Sequence, residues 1–220
     1  GQNTLGYDLQ NSIFQQNTIQ PTSNQQGLVY LLPPLENTYS WKGIDVQNST
    51  NFTIKSNTFS NLSYGIFSLA SDLTIENNTF SKVSKFQPIQ ICTEFKQEAA
   101  IYLENFHKPL ITSNAIIGGT SNEQNTFTDC YTGVFVTGNY DFSCTRNLFE
   151  YDELPPNTIA LGGAIGVSYA NLNFSNTAIV DTNTFVNMTI AVKADYNTRC
   201  NSYIRKNTIE CAENGLGNGI

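Results

Sequence analysis

The stretch from Asn51 to Phe80, NFTIKSNTFSNLSYGIFSLASDLTIENNTF, contains one pattern written twice. Phe52-Thr53-Ile54 alternates apolar and polar and runs into Asn57-Thr58-Phe59; Leu73-Thr74-Ile75 does the same into Asn78-Thr79-Phe80. Between the copies stands Gly65-Ile66-Phe67-Ser68-Leu69, another alternating run. Apolar residues at every second position, broken by Asn, Gly and Ser, predict short strands joined by tight turns and argue against helix.

Outward from this block the pattern continues in both directions. Asn183-Thr184-Phe185 is a third copy, Asn17-Thr18-Ile19 and Asn207-Thr208-Ile209 are close ones, and Asn114-Ala115-Ile116 and Asn147-Leu148-Phe149 are looser. A second landmark is Gly before an aliphatic residue, at Gly43-Ile44, Gly65-Ile66, Gly133-Val134, Gly166-Val167 and Gly215-Leu216, with Ala100-Ile101 and Thr189-Ile190 in the remaining places. The step from landmark to the next Asn is nearly constant along the chain. A unit holding only three short strands is too small to bury its own apolar face, so the units must stack and share a core. The expected fold is all-β: a right-handed parallel β-helix of about seven coils, one domain over residues 1–220.

In that arrangement Asn17, Asn57, Asn78, Asn114, Asn147, Asn183 and Asn207 form a ladder, each amide bonding the Asn one coil away. Asn tolerates left-handed backbone and suits a corner. Asn51–Phe80 resembles the parallel β-helix repeats of the pectin-lyase-like superfamily, especially the Asn-rich repeats of secreted or surface proteins, and the likeness covers essentially the whole chain. It implies the fold and an extracellular or cell-surface location. Function does not follow, because the scaffold hosts lyases, hydrolases, epimerases, adhesins and fibres.

Spacing also places the insertions. The chain passes quickly from Phe59 to Gly65 and from Ile209 to Gly215. The equivalent passages from Ile19 to Gly43, Phe80 to Ala100, Ile116 to Gly133 and Phe149 to Gly166 are all far longer. The four long insertions are therefore expected at one turn of the coil, gathered on one wall, where loops on a rigid scaffold carry function. They hold the candidate binding residues Tyr39, Trp41, Glu94, Asp129, Glu150, Tyr151, Asp152 and Glu153. Cys92 and Cys130 fall in neighbouring insertions and are expected to form a disulfide across the wall.

Composition narrows the chemistry. Net charge is −7 with only 11 Lys and Arg, so the phosphate-neutralising patch of a nucleic-acid binder is missing. No apolar run is long enough to span a bilayer as a helix. One His and no Cys-x-x-Cys pair give no zinc pattern, and no metal or cofactor is expected. Glycoside hydrolysis needs two carboxylates about 5–9 Å apart; Asp129, Asp141, Glu150, Asp152 and Glu153 qualify by location alone. The motifs the superfamily uses to cut pectin are absent: Asn-Thr is followed by Phe or Ile, Asp-Asp and Gly-His-Gly do not occur, and Ile204-Arg205-Lys206 has the wrong order for the basic motif. The clustered Asp of calcium-dependent lyases is also missing.

The expected function is that of a non-catalytic extracellular or cell-surface β-helix for adhesion, assembly or scaffolding. The alternative is a polysaccharide lyase, glycoside hydrolase, epimerase or glycan-binding module acting through the insertion wall. Expected partners are a glycan or another surface protein. Further coils or subunits are expected at the chain ends, since Asp8–Ile19 already reads as second and third strands and Gly215-Leu216 opens a new first strand.

Overall fold

The computed structural model describes residues 13–19, 42–83, 98–106, 110–120, 122–151, 164–195 and 198–210. Its twenty strands, numbered in chain order, form three parallel sheets. First strands are β3 (Lys42–Gln47), β6 (Tyr64–Leu69), β9 (Ile101–Asn105), β12 (Thr132–Gly138), β15 (Ile165–Ala170) and β18 (Ile190–Ala194). Second strands are β1 (Ile13–Gln15), β4 (Phe52–Lys55), β7 (Leu73–Glu76), β10 (Ser113–Gly118), β13 (Tyr140–Thr145), β16 (Thr177–Asp181) and β19 (Asn201–Arg205). Third strands are β2 (Thr18–Ile19), β5 (Thr58–Ser60), β8 (Thr79–Ser81), β11 (Thr126–Thr128), β14 (Leu148–Glu150), β17 (Thr184–Val186) and β20 (Thr208–Glu210). The chain visits the sheets in rotation, so each strand pairs with its equivalent one coil away.

Stacking like on like fills the interior. Phe59, Phe80, Phe127, Phe149 and Phe185 pile face to face with successive centroids 4.8, 4.9, 4.5 and 4.9 Å apart. Those spacings follow from the distance of about 4.8 Å between hydrogen-bonded strands. All five rings are buried, and burial of each is worth roughly 1.5–3 kcal/mol. The Gly landmark makes room for them. A Cβ on Gly133 would stand 2.6 Å from the Phe149 ring, and one on Gly166 2.4 Å from the Phe185 ring. Ala100 and Ala191 hold the equivalent register positions. The landmark of the last coil is therefore Ala191-Val192, one step of strand alternation beyond the expected Thr189-Ile190.

The asparagine ladder runs inside the corner between second and third strands. The backbone N–H and Nδ2 of Asn57 donate to Oδ1 of Asn78 at 2.9 and 3.1 Å. Asn78 repeats this onto Asn125 at 2.9 and 3.1 Å, and Asn125 onto Asn147 at 3.2 and 2.9 Å. Asn147 bonds Asn183 in turn, and Asn183 bonds Asn207.

Three expectations need correction here. Asn114 is not a rung: it lies on the outer face of β10, where its N–H donates to Asp72 Oδ1 at 2.7 Å. Asn125-Thr126-Phe127 is the true copy in that coil, pairing in register with Thr79-Phe80 and Leu148-Phe149. The left-handed residue is not the ladder Asn but the one before it: Gln16, Ser56, Asn77, Arg146, Thr182 and Lys206 all have φ of 53–59°. That kink turns the following Asn inward. The insertions also divide differently. Those between Ile19 and Gly43, Phe80 and Ala100, and Phe149 and Gly166 share the turn after the third strand. In the remaining coil the passage from Phe127 to Gly133 is as short as that from Phe59 to Gly65. The extra residues of that coil fall before and after β10.

Each buried ladder amide serves several backbone groups, so apolar replacement strands them. In Asn78→Leu, the Asn57 N–H loses its Oδ1 acceptor and the Ile54 carbonyl loses the Asn78 Nδ2 it receives at 2.9 Å. Unpaired buried groups cost about 1–3 kcal/mol each. Calorimetry is expected to show Asn78→Leu destabilised by roughly 2–5 kcal/mol, and Asn114→Leu, on the surface, by no more than about 0.5 kcal/mol. Equal melting of the two variants would refute the assignment of rungs.

Candidate functional site

Alternation on the first strands turns one residue per coil outward at a constant offset from the landmark. Asp45, Phe67, Tyr102, Phe135, Ser168 and Lys193 thus share one column on the outer face of that sheet. The three aromatics stack along it. Phe67 and Tyr102 lie 5.1 Å apart with rings 3° from parallel, and Tyr102 and Phe135 lie 5.3 Å apart at 30°. Tyr64, itself buried, meets Phe67 and Tyr102 edge-on at 5.5 and 5.7 Å. Lys42 Nζ sits 3.4 Å over the Phe67 ring and 2.9 Å from Asp45 Oδ2. The Tyr102 hydroxyl donates to Glu104 Oε2 at 2.9 Å. Each ring covers its neighbour's face, so the wall offers a ridge of ring edges rather than a flat platform.

Carboxylates border the ridge. Glu98 stands three residues ahead of β9, just before Ala99 and Ala100. Burial pushes its carboxyl up to about 7 from the ordinary 4.5, against the pull of a hydrogen bond from Ser63. Burial, then the nearby charges of Glu98 and Glu104, raises the Tyr64 hydroxyl well above the usual tyrosine range. Burial and Glu104 do the same to Tyr102. These phenols stay protonated, and that of Tyr102 donates to Glu104. A carboxyl near 7 has the acidity a general acid–base requires. Among the described residues no group of three His, Cys, Asp or Glu could hold a metal ion.

Tyr39, Trp41, Glu94, Asp152 and Glu153 lie outside the described residues. Asp129 and Tyr151 are brought to equivalent places on adjacent coils at the turn after the third strand. Asp129 has a φ of 53° there, and its N–H donates to the Glu150 carbonyl at 2.9 Å. Tyr151 is partly buried against the core, and Glu150 lies in register with Thr128 and Val186.

The expected Cys92–Cys130 bridge is replaced by a free, buried Cys130 thiol, with Cys92 outside the described residues. Cys130 fills the inward place taken in other coils by Leu62, Val83 and Met188, all buried. Its thiol donates to the Phe80 carbonyl at 3.6 Å, and burial pushes it up to about 12. Cys144 sits in the core beside Asn147 and is likewise pushed up to about 12.

Sequence reasoning does not single out Tyr64, Phe67, Tyr102 or Phe135; it finds Glu98 only as one of several acidic residues between Phe80 and Ala100. A signal is present: Phe67, Tyr102 and Phe135 each stand two places after the Gly or Ala landmark.

Residues 5–93 match the family model described as right handed beta helix region. The three sheets continue in the same rotation to Glu210. No curated protein and no solved structure matches the chain. Among the described residues no helix is long and apolar enough to cross a membrane.

The raised Glu98 carboxyl sets a sign for pH dependence. Folding favours its protonated form, so between about 4.5 and 7 the native state binds more protons than the unfolded chain. Stability from this group is complete below 4.5 and is lost as pH rises through 7. Thermal melts are expected to show Glu98→Gln matching the parent at pH 4 and exceeding it at pH 8, by on the order of 1 kcal/mol. The opposite order at pH 8 would place Glu98 in a charge-stabilising contact instead.

Proposed function

We propose that this right-handed parallel β-helix is a non-catalytic protein of the cell surface or extracellular space. It acts as a rigid scaffold for adhesion or assembly that presents the outer wall of its first-strand sheet to a partner. The stacked column Phe67–Tyr102–Phe135 carries this reading. It is partly exposed, flanked by Tyr64 edge-on to Phe67 and Tyr102, and rimmed by Lys42, Asp45 and Glu104, an aromatic centre in a charged rim like those that dominate protein interfaces. Ring edges favour a protein partner over a sugar, which stacks on ring faces. Few charges and many amides and hydroxyls suit an exterior role without adding binding to polyanions.

A carbohydrate-active reading draws on one observation, the Glu98 carboxyl poised near 7 beside Tyr64. Both readings meet in one experiment. The immobilised protein is challenged with a panel of extracellular proteins and polysaccharides, with retention and sugar release measured together. Retention of a protein without sugar release is expected, weakened about tenfold (1.4 kcal/mol) by Phe135→Ala in a variant that still melts cooperatively. Release of reducing ends or unsaturated sugars, abolished by Glu98→Gln, would overturn the scaffold reading in favour of the enzyme.

A further inference from the structure

The asparagines of this chain fall into two classes. Those of the buried rungs have their amides bonded to carbonyls and to the next rung. Each buried rung stands two places before a core phenylalanine, as in Asn57-Thr58-Phe59 and Asn147-Leu148-Phe149. The second class begins Asn-x-Ser/Thr triplets, at Asn48, Asn51, Asn61, Asn77, Asn173 and Asn187. A buried rung does not belong to it, because the position two places on carries the ring that fills the core.

Every asparagine of the second class stands in a turn. Asn48 and Asn51 lie between β3 and β4, Asn77 between β7 and β8, and Asn173 between β15 and β16, while Asn61 and Asn187 directly follow β5 and β17. Asn187 is partly exposed and the others are exposed. Asn48, Asn51, Asn61, Asn77 and Asn187 have φ of 53–55°, which Asn tolerates. Such a turn does not by itself demand Asn, since Lys82, Arg146 and Lys206 hold turns of the same kind. Strand alternation then sets the rest of the triplet. The middle residue turns inward, and Ser49, Phe52, Leu62, Asn78 and Met188 are buried. The hydroxyl-bearing residue turns outward again: Thr50, Thr53, Ser63, Thr79 and Thr189 are all at least partly exposed. Asn173-Phe174-Ser175 is exposed throughout. Amide and hydroxyl therefore share one outer surface.

We propose that these turn asparagines are N-glycosylation sites, modified by an oligosaccharide carried on a lipid diphosphate, and that the buried rungs are not. The Asn-x-Ser/Thr triplet is the acceptor signal for that transfer. In the step, Asn Nδ2 attacks C1 of the first sugar. The Nδ2–C1 bond forms, the bond from C1 to the diphosphate oxygen breaks, and one amide proton leaves with the diphosphate; nothing is oxidised or reduced. The modified amide keeps one N–H, enough for the bond that Asn77 Nδ2 gives Ser56 Oγ at 2.9 Å. Sugars at these corners leave the ladder untouched. They also frame the aromatic ridge. Asn48, Asn51 and Asn173 border the first-strand sheet on the side of the second strands, Asn61 and Asn187 on the side of the third strands. Glycans, which are bulky and solubilising, then sit beside Phe67, Tyr102 and Phe135 rather than on them. The proposal rests on the exterior location argued above, because the transfer belongs to chains on their way out of the cell.

The test uses protein from its own cells, labelled from outside with a membrane-impermeant biotin reagent or collected from the medium. It is digested and treated with peptide N-glycosidase in heavy-oxygen water, so that each released site becomes an isotope-marked Asp, read by mass spectrometry against an enzyme-free control. Heavy oxygen is expected at Asn61, Asn77 and Asn173, and at one or both of Asn48 and Asn51, which share a turn. Less is expected at the partly exposed Asn187, and none at Asn57, Asn78, Asn125, Asn147 or Asn183. Thr79 points outward from β8 and is exposed. Thr79→Val is expected to lose the mark at Asn77 alone, and Thr79→Ser to keep it. Biotin-labelled or secreted protein with no mark at any of the turn asparagines would overturn the proposal and leave the exterior location standing. A mark on a buried rung would overturn the division into two classes. Protein found only inside the cell, and without sugar, would sink the proposal together with the location.

Discussion

The buried hydrogen bond from one asparagine to the next is the constraint on which this structure depends. A parallel stack of short strands has little intrinsic register, since a one-residue slip still satisfies most backbone bonds while turning every side chain to the wrong face. The ladder removes that freedom. Asn57, Asn78, Asn125, Asn147 and Asn183 are buried, and each finds an Oδ1 in the next coil and a carbonyl in the preceding one; Asn57, Asn78 and Asn147 also reach a carbonyl of their own coil. The net worth of each bond is modest; the cost of leaving it unmade is not. Register, more than bulk stability, is what the rungs supply.

Once register is set, the remaining features follow from repetition. Phe lands on Phe because each stands two places after a rung, and Gly or Ala lands beside the ring because nothing larger fits there. The same repetition acts on the outside without a core to select for it. Phe67, Tyr102 and Phe135 also stack coil upon coil, yet they lie on the outer face of their sheet and stay partly exposed. That contrast is what singles out the first-strand wall, rather than the Thr-rich third-strand face, for the proposed role.

Much of this is legible in the residues. Strand alternation, the Asn-Thr-Phe copies and the Gly landmarks carry the coil, because a stacked repeat must write each inward position into the sequence. The misreadings share a cause. Asn114-Ala115-Ile116 imitates a rung and stands at the regular step from Ala100, while the true rung, Asn125, stands much farther along the chain. Regular spacing there competes with the better match of Asn125-Thr126-Phe127, and the spacing misleads. Sequence records which residues repeat, but it does not say at which turn a coil takes in extra chain. Cys130 misleads for a related reason: assigned to an insertion, it looks free to bridge, whereas three places after Phe127 it is a core position like Val83. The aromatic ridge escapes a search for repeats because outward residues vary from coil to coil, as Asp45 and Ser168 do in the same column.

A ladder with a direction also makes the two sides of every coil unlike. In an ordinary sheet both sides of a strand expose the same mixture of N–H and C=O groups, and a strand can pair with almost any other. Here each rung offers Oδ1 to the coil before it and gives its N–H and Nδ2 to the coil after it, as Asn57 does between Asn17 and Asn78. A coil without an Asn at the rung position could satisfy part of the backbone but would leave its neighbour's rung N–H without an acceptor. The same polar groups that hold one coil to the next therefore select for coils of their own kind, and the selectivity needs no side chain beyond those the fold already requires.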